Sequence, residues 1–341
     1  MTARPRILFV PDAGPAVGGG HVMRDLTLAR ALEARGAVCV FRATPAAAAI
    51  LDAFAPAAAR TPDETTDRAG DDFDAVVIDH YGLAAPEHRA IANGRPTMVV
   101  DDLANRPLAA DLVLDSGPAR RAADYAGLVP DGAELMLGAA FAPVRPAFTA
   151  LREAALARRA AQAPVRRALV SLGLTDVGAI TGRVVQALLP HLGDVALDVV
   201  AGSGAPSLPL LRELAARDTR VALHVDAQDM PRLTLEADLA VGAGGSTAWE
   251  RCVLGLPTLQ VVLADNQRPA TDALAKAGAI IPLDAASPGF EAELAAAFVQ
   301  LAGDERRRAR LAEAAAAACD GHGAERAAER FLALIAARAA G

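Results

Sequence analysis

The sequence predicts an α/β protein made of two doubly wound, Rossmann-like domains. Three observations carry that expectation. The chain has 341 residues, more than the roughly 250–300 that one hydrophobic core usually supports. Hydrophobic residues make up 53% and charged residues 22%, enough material for two packed cores. Short apolar runs alternate with longer helical patterns, the signature of βαβ units whose strands are buried on both faces.

In chain order the runs fall at 7–10, 75–78, 98–100, 112–114 and 135–137, then at 168–172, 195–200, 221–225, 239–241, 259–263 and 280–283. Each is mostly apolar, as a two-face-buried strand should be. The series breaks at 147–166, a charged helical pattern followed by a Pro-containing stretch. The predicted division is therefore a first domain over 1–150, a linker over 151–166 and a second domain over 167–341. The Ala-rich residues beyond 290 read as packing helices of the second domain. Ligands of open α/β sheets bind at the carboxyl ends of the strands, so a cleft shared by the two halves is the expected ligand position.

A net charge of −7 and a pI near 5.4 argue against nucleic acid or an anionic membrane as partner. An acidic chain can still hold phosphate through local backbone N–H groups. Cys39, Cys252 and Cys319 are widely spaced, with no CxxC pair, which fits reduced thiols and neither a disulfide frame nor a zinc site. The first apolar run is too short for a signal peptide. No uncharged apolar stretch nears the ~20 residues of a membrane span, so a cytoplasmic protein without membrane insertion is expected. Oligomeric state leaves no mark on the sequence.

The residues between strands and helices carry the chemistry. PDAGPAVGGGHVMRD follows the first run, and Val22, Leu26, Ala29 and Leu32 continue at helical spacing until Gly36. A strand, a Gly-rich turn and a helix start suit close approach of a ligand to backbone amides; the alternative is a mere capping turn, for which three successive glycines are excessive. His21 stands at the mouth of that helix. The spacing matches neither the dinucleotide loop nor the lysine-bearing phosphate loop. AVGAGGSTAWE (240–250) repeats the arrangement: Ser246 or Thr247 can cap a helix running to Gly255, whose first turn would attract a diphosphate. Glu250 fits two roles, an acceptor for ribose hydroxyls or a capping-box partner of Thr247. In ADNQ (264–267), Asn266 could be an N-cap, or Asn266 and Gln267 could grip sugar groups with their amides. DHYG (79–82) ends another strand, with Tyr81 at the ligand position and His80 a turn residue. Asp101 and Asp102 close a strand without nearby histidine, so loop hydrogen bonds are expected there and no metal. His88, His191, His224 and His322 read as surface or turn residues.

GGGHVMR, DHYG, VVDDLANR, VRPAF (144–148), AGGSTAWERCVLGLP and ADNQ occur in one order over residues 6–285. Together they resemble the UDP-sugar hydrolases of pseudaminic acid biosynthesis, which release UDP from UDP-2,4-diacetamido-2,4,6-trideoxy-β-L-altropyranose. The resemblance implies the two-domain GT-B architecture, also found in the N-acetylglucosaminyltransferase that acts on lipid I. It implies that His21 is the catalytic base, that Gly18, Gly19, Gly20 and Arg24 belong to the substrate site, and that Tyr81, Asn266 and Gln267 line the sugar. Gly244, Gly245, Ser246 and Thr247 would hold UDP, Glu250 its ribose and the backbone at Val225 its uracil, with no cofactor. The chain departs from the family at Asp25, where a cysteine is usual, at Asp265, often glutamate, and in SLGLTD (171–176), where Leu174 replaces a glycine. If that position needs φ > 0, leucine strains the loop. A glycosyltransferase with the same architecture, a catalytically silent nucleotide-sugar binder and a hydrolysing UDP-N-acetylglucosamine 2-epimerase are the alternatives.

Overall fold

A computed structural model describes residues 4–14, 17–62, 73–161 and 163–340. The chain forms two compact units, residues 1–144 with 322–341, and residues 145–321.

The first unit runs β1 (Arg6–Pro11), α1 (Gly20–Glu33), β2 (Val38–Ala43), α2 (Pro45–Phe54), β3 (Ala59–Pro62), β4 (Ala75–Asp79), α3 (Ala85–Ala92), β5 (Thr97–Val100), β6 (Leu112–Asp115) and β7 (Glu134–Leu137). The seven strands form one sheet in the order β3-β2-β1-β4-β5-β6-β7, with parallel pairing throughout. Along β1, Ile7 and Phe9 enter one core while Leu8 and Val10 enter the other. This alternation covers both faces and makes the strand read as an unbroken apolar run. Strand order reverses between β1 and β4, where Pro11 pairs with Asp79 at the carboxyl ends.

The second unit contains α4 (Pro146–Ala160), β8 (Arg167–Ser171), α5 (Ile180–Leu188), β9 (Ala196–Ala201), α6 (Leu208–Arg217), β10 (Val221–Val225), α7 (Met230–Glu236), β11 (Leu239–Ala243), α8 (Thr247–Val253), β12 (Thr258–Val262), α9 (Arg268–Lys276), β13 (Ile281–Asp284), α10 (Phe290–Gly303) and α11 (Glu305–Ala318). Its sheet is parallel, ordered β10-β9-β8-β11-β12-β13, and reverses between β8 and β11.

Each run read as a strand is one. Two strands, β2 and β3, lie outside those runs. The domain boundaries also differ from the expected 1–150, 151–166 and 167–341. Residues expected as linker mostly form α4, a helix of the second unit whose Arg152 donates to the carbonyls of Val253, Ala316 and Cys319. The last helix, α12 (Gly323–Ala340), leaves the second unit for the first. Its Ala324, Ala327, Ala328, Phe331 and Ile335 share a core with Val22, Leu26, Ala29 and Leu32 of α1. An apolar stripe on α1 would otherwise face water, and α12 covers it.

His88 is no surface residue either. It is fully buried on α3, its Nδ1 accepts from the Ala109 amide at 3.3 Å, and its Nε2 has no partner among the described residues. Burial, then the nearby Arg106 charge, pulls its pKa from an ordinary 6.5 down to about 4.

Two outcomes follow from this packing. Phe331→Ala removes a fully buried ring from the α1–α12 contact and should lower stability by about 3–5 kcal/mol in urea unfolding; a loss under 1 kcal/mol, roughly the cost of a tolerant surface site, would show that α12 does not secure α1. His88 binds its proton more readily unfolded than folded, so its contribution is present above its ordinary value of 6.5 and disappears as pH falls towards about 4. Between pH 7 and 5 (about two units around that ordinary value), the wild-type protein should lose more stability than His88→Gln. Parallel stability profiles would contradict a neutral buried imidazole.

Candidate active site

In the first unit, the reversal between β1 and β4 brings three elements to one place. The Gly-rich turn after β1 closes on itself, the Gly18 amide (φ +82°) donating to the Gly14 carbonyl at 2.7 Å. Gly19 is the N-cap of α1 and Gly20 its first residue, without a side-chain cap. His21 therefore enters α1 in its first turn and is only 5% exposed.

Its Nδ1 lies 2.5 Å from Oδ1 of Asp79, the last residue of β4. Asp79 is fully buried and also receives Arg24 Nε at 2.5 Å and Arg24 Nη2 at 2.6 Å. Burial alone would push the Asp79 carboxyl up. Arg24 and then His21 overcome it and hold the group well below the usual carboxylate range. An ionised Asp79 accepts from Nδ1–H, and that tautomer leaves Nε2 as the basic nitrogen. The 3.1 Å approach of Arg24 Nη2 to Nδ1 is then a close contact, not a second hydrogen bond, because the lone pair sits on the other nitrogen.

Further residues hold this pair in place. Asp102 Oδ2 accepts from Arg24 Nη1 at 3.0 Å and from the Tyr81 hydroxyl at 2.9 Å. The Tyr81 ring stands edge-on to the His21 ring, centroids 4.5 Å apart. Asp101 accepts from the amides of Leu103 and Ala104, as expected of a loop carboxylate. It also accepts from Arg106 and from the buried Tyr125 hydroxyl. Arg106 donates to the carbonyls of His80 and Leu83, tying the loops after β4 and β5 together.

Arg24, expected on the substrate, instead gives its guanidinium to two carboxylates of the protein. The sequence alone does not mark Asp79, and it gives Asp102 only loop hydrogen bonds, whereas Asp102 accepts from the Arg24 and Tyr81 side chains. Asp79 is the first residue of DHYG, and the signal was its place at a strand end beside two more conspicuous side chains.

In the second unit, the loops after β8, β11 and β12 adjoin the reversal. The 171–176 loop is unstrained at Leu174: positive φ falls on Gly173 (+105°) and Asp176 (+47°), and Leu174 is not among the residues with positive φ. Asp176 is buried and accepts from the amides of Thr181 and Ser207. Gly202 makes room for Leu174, since a Cβ there would lie 2.2 Å from the Leu174 carbonyl oxygen.

The loop after β11 differs from expectation at its helix. α8 spans Thr247–Val253 with Ser246 as N-cap and no side-chain cap bond. The amides of Ala248 and Trp249 already donate to Gly245 and Ser246, so this short helix offers a diphosphate less than a full set of N–H groups. The capping box is not formed: buried Glu250 accepts from Arg145 Nε at 2.7 Å, and the Thr247 hydroxyl accepts from Arg251.

Arg251 was not anticipated. It is 4% exposed and its guanidinium lies against Gly242, where a Cβ would come within 2.5 Å. It donates to the Ala243 carbonyl at 2.7 Å and reaches Thr247 and Gln260, all neutral acceptors. Burial draws its pKa down to about 10, so it is cationic at neutral pH beneath the glycine loop. No side chain in the 240–250 motif except Glu250 advertised charge, and an arginine inside a helix reads as a solvated face.

Gly244 packs against Thr271, Gln267 and Gln260, which joins the loops after β11 and β12, and Gly245 is exposed. Gln267 Oε1 accepts from the Leu263 amide at 3.1 Å. Gln267, not Asn266, is the N-cap of α9, and Asn266 is exposed in the short turn Asp265–Gln267. Val225, 37% exposed, ends the edge strand β10, three strand positions from β11. Among the described residues no group of three or more His, Cys, Asp or Glu side chains is placed to hold a metal ion. No helix among them is long and apolar enough to cross a membrane.

No family model matches the chain. The UDP-2,4-diacetamido-2,4,6-trideoxy-β-L-altropyranose hydrolase of Campylobacter jejuni is 24% identical over 280 residues, 80% of this chain and 97% of that protein. The Salinibacter ruber N-acetylglucosaminyltransferase acting on pyrophosphoryl-undecaprenol N-acetylmuramyl-pentapeptide is 34% identical over 152 residues, 43% of this chain and 40% of that enzyme. Among solved structures, Acinetobacter baumannii MurG aligns with a TM-score of 0.66 at 18% identity, covering 97% and 99% of the two chains. The S. aureus MnaA–UDP complex gives 0.60 at 16%, covering 95% and 94%. Anabaena HepE with UDP and glucose gives 0.58 at 17%, covering 97% and 100%. The chain thus has the GT-B fold, and over four-fifths of its length it resembles the Campylobacter UDP-sugar hydrolase.

Proposed function

We propose that the chain hydrolyses a UDP-sugar, UDP-2,4-diacetamido-2,4,6-trideoxy-β-L-altropyranose, to free sugar and UDP. The observation that carries this reading is the buried His21–Asp79 pair, with Asp79 kept ionised by Arg24. A histidine whose Nδ1–H is committed to a carboxylate is built to take a proton at Nε2. The likeness to the Campylobacter hydrolase supplies the substrate.

Water attacks the anomeric carbon as Nε2 of His21 removes its proton. The bond from that carbon to the diphosphate oxygen breaks, its electron pair leaves with UDP, and the configuration inverts. Positive charge grows on the sugar and negative charge on the leaving diphosphate. Arg251, cationic beneath the 242–247 loop, is the fixed charge of that loop which opposes the latter. Asp79 orients and stabilises the imidazole without bonding to substrate. Glu250 reaches the ribose only while also serving Arg145, and the backbone at Val225 reads the uracil.

NMR of the purified protein with this nucleotide tests the reading. UDP should be released without any acceptor, and the first sugar signal should be that of the inverted anomer. Release that requires an added sugar or lipid acceptor would indicate a glycosyltransferase instead. His21→Asn should lower kcat by about 10²–10⁴-fold, while calorimetry shows UDP affinity nearly unchanged. Loss of UDP binding with kcat retained would contradict the role of His21.

A further inference from the structure

Asp25 lies one helical turn after His21 on α1, on the same face. It is completely buried, and neither of its oxygens has a donor among the described residues. Arg24, its neighbour in sequence, spends its guanidinium on Asp79 and Asp102. The group that faces Asp25 is the Asp79 carboxyl, within reach of a hydrogen bond. Two carboxylates in contact can only accept, and two buried negative charges side by side cannot both persist. One proton between them supplies the missing donor.

The donors decide which oxygen carries it. Asp79 receives three N–H contacts from His21 and Arg24, whereas Asp25 receives none. We propose that Asp25 is a neutral carboxylic acid that donates a hydrogen bond to Asp79, making it a positioning residue behind His21.

The charges around it agree. Burial, and then the charge of Asp79, push the Asp25 carboxyl well up against the opposing pull of Arg24, while Asp79 is held down. The other groups facing the cluster are His21 from α1, Tyr81 from the loop after β4 and Asp102 from the end of β5, and Asp102 is committed to Arg24 and Tyr81. By occupying a lone pair of Asp79, the acid makes Asp79 a weaker base. Asp79 then orients the imidazole without drawing its proton away. The consequence for turnover rests on the reading of His21 as the base; the protonation of Asp25 does not.

Carboxyl 13C NMR of the wild-type protein with labelled aspartate reads the proton directly. One aspartate signal, lost in Asp25→Asn, should hold the protonated position at neutral pH. All aspartate signals at the ionised position would overturn the proposal, and this measurement stands even where a variant fails to fold. In the pH–rate profile, Asp25→Asn keeps an N–H donor for Asp79 and should keep the acid limb in place. Asp25→Leu removes the donor and should move that limb up by about one pH unit. Equal limbs in the two variants would overturn the positioning role. A protein that releases no UDP from the nucleotide-sugar would defeat the hydrolase reading and leave the carboxyl result intact.

Discussion

The hydrogen bond between His21 Nδ1 and the Asp79 carboxylate is the constraint around which the first unit is arranged. It spans 58 positions of sequence and exists only because β1 and β4 are neighbours at the reversal of the sheet. α1 must then start where the Gly-rich turn releases it, and α12 must return from the far end of the chain to hold α1 down. Arg24 closes the arrangement from the same helix. One turn of α1 thus carries the imidazole, the cation that keeps its partner ionised and the carboxyl of Asp25.

The second unit solves a different electrostatic problem with the same topology. Its glycine loop after β11 has little side-chain charge of its own, and the short α8 has already used two of its first-turn amides. The charge comes from below, from an arginine bonded only to neutral acceptors. Burying a guanidinium without a carboxylate is costly, and an anionic ligand over the loop would offset that cost. Glu250 hydrogen-bonds Arg145 and acts on Arg251 through its charge alone.

The strands were legible because parallel strands covered on both faces contain almost nothing but apolar residues, as in β4 and β11. β3, half-exposed at the sheet edge, has no such run to read. β2 does carry one, Val38–Cys39–Val40–Phe41, as long as the run of β1, so this strand was legible and is missing from the predicted series. The return of α12 was hidden because an Ala-rich amphipathic helix does not specify which apolar stripe it will cover. His21, Tyr81 and the two glycine loops stood out through residue type at strand ends. Asp79 and Arg251 did not, and Asp102 stood out without its role, since these roles lie in contacts that no spacing encodes. Leu174 shows the opposite error: a lost glycine looked like strain, but the neighbouring Gly173 takes the positive φ and Gly202 gives way across the sheet.

The tautomer of His21 tests this account most directly, and 15N NMR of the imidazole in the resting protein at neutral pH measures it. The arrangement at Asp79 requires the proton on Nδ1 and a bare, basic Nε2. A ring protonated on Nε2 with Nδ1 bare would mean that Arg24, not the imidazole, makes the close contact, and the chemistry built on that nitrogen would fall.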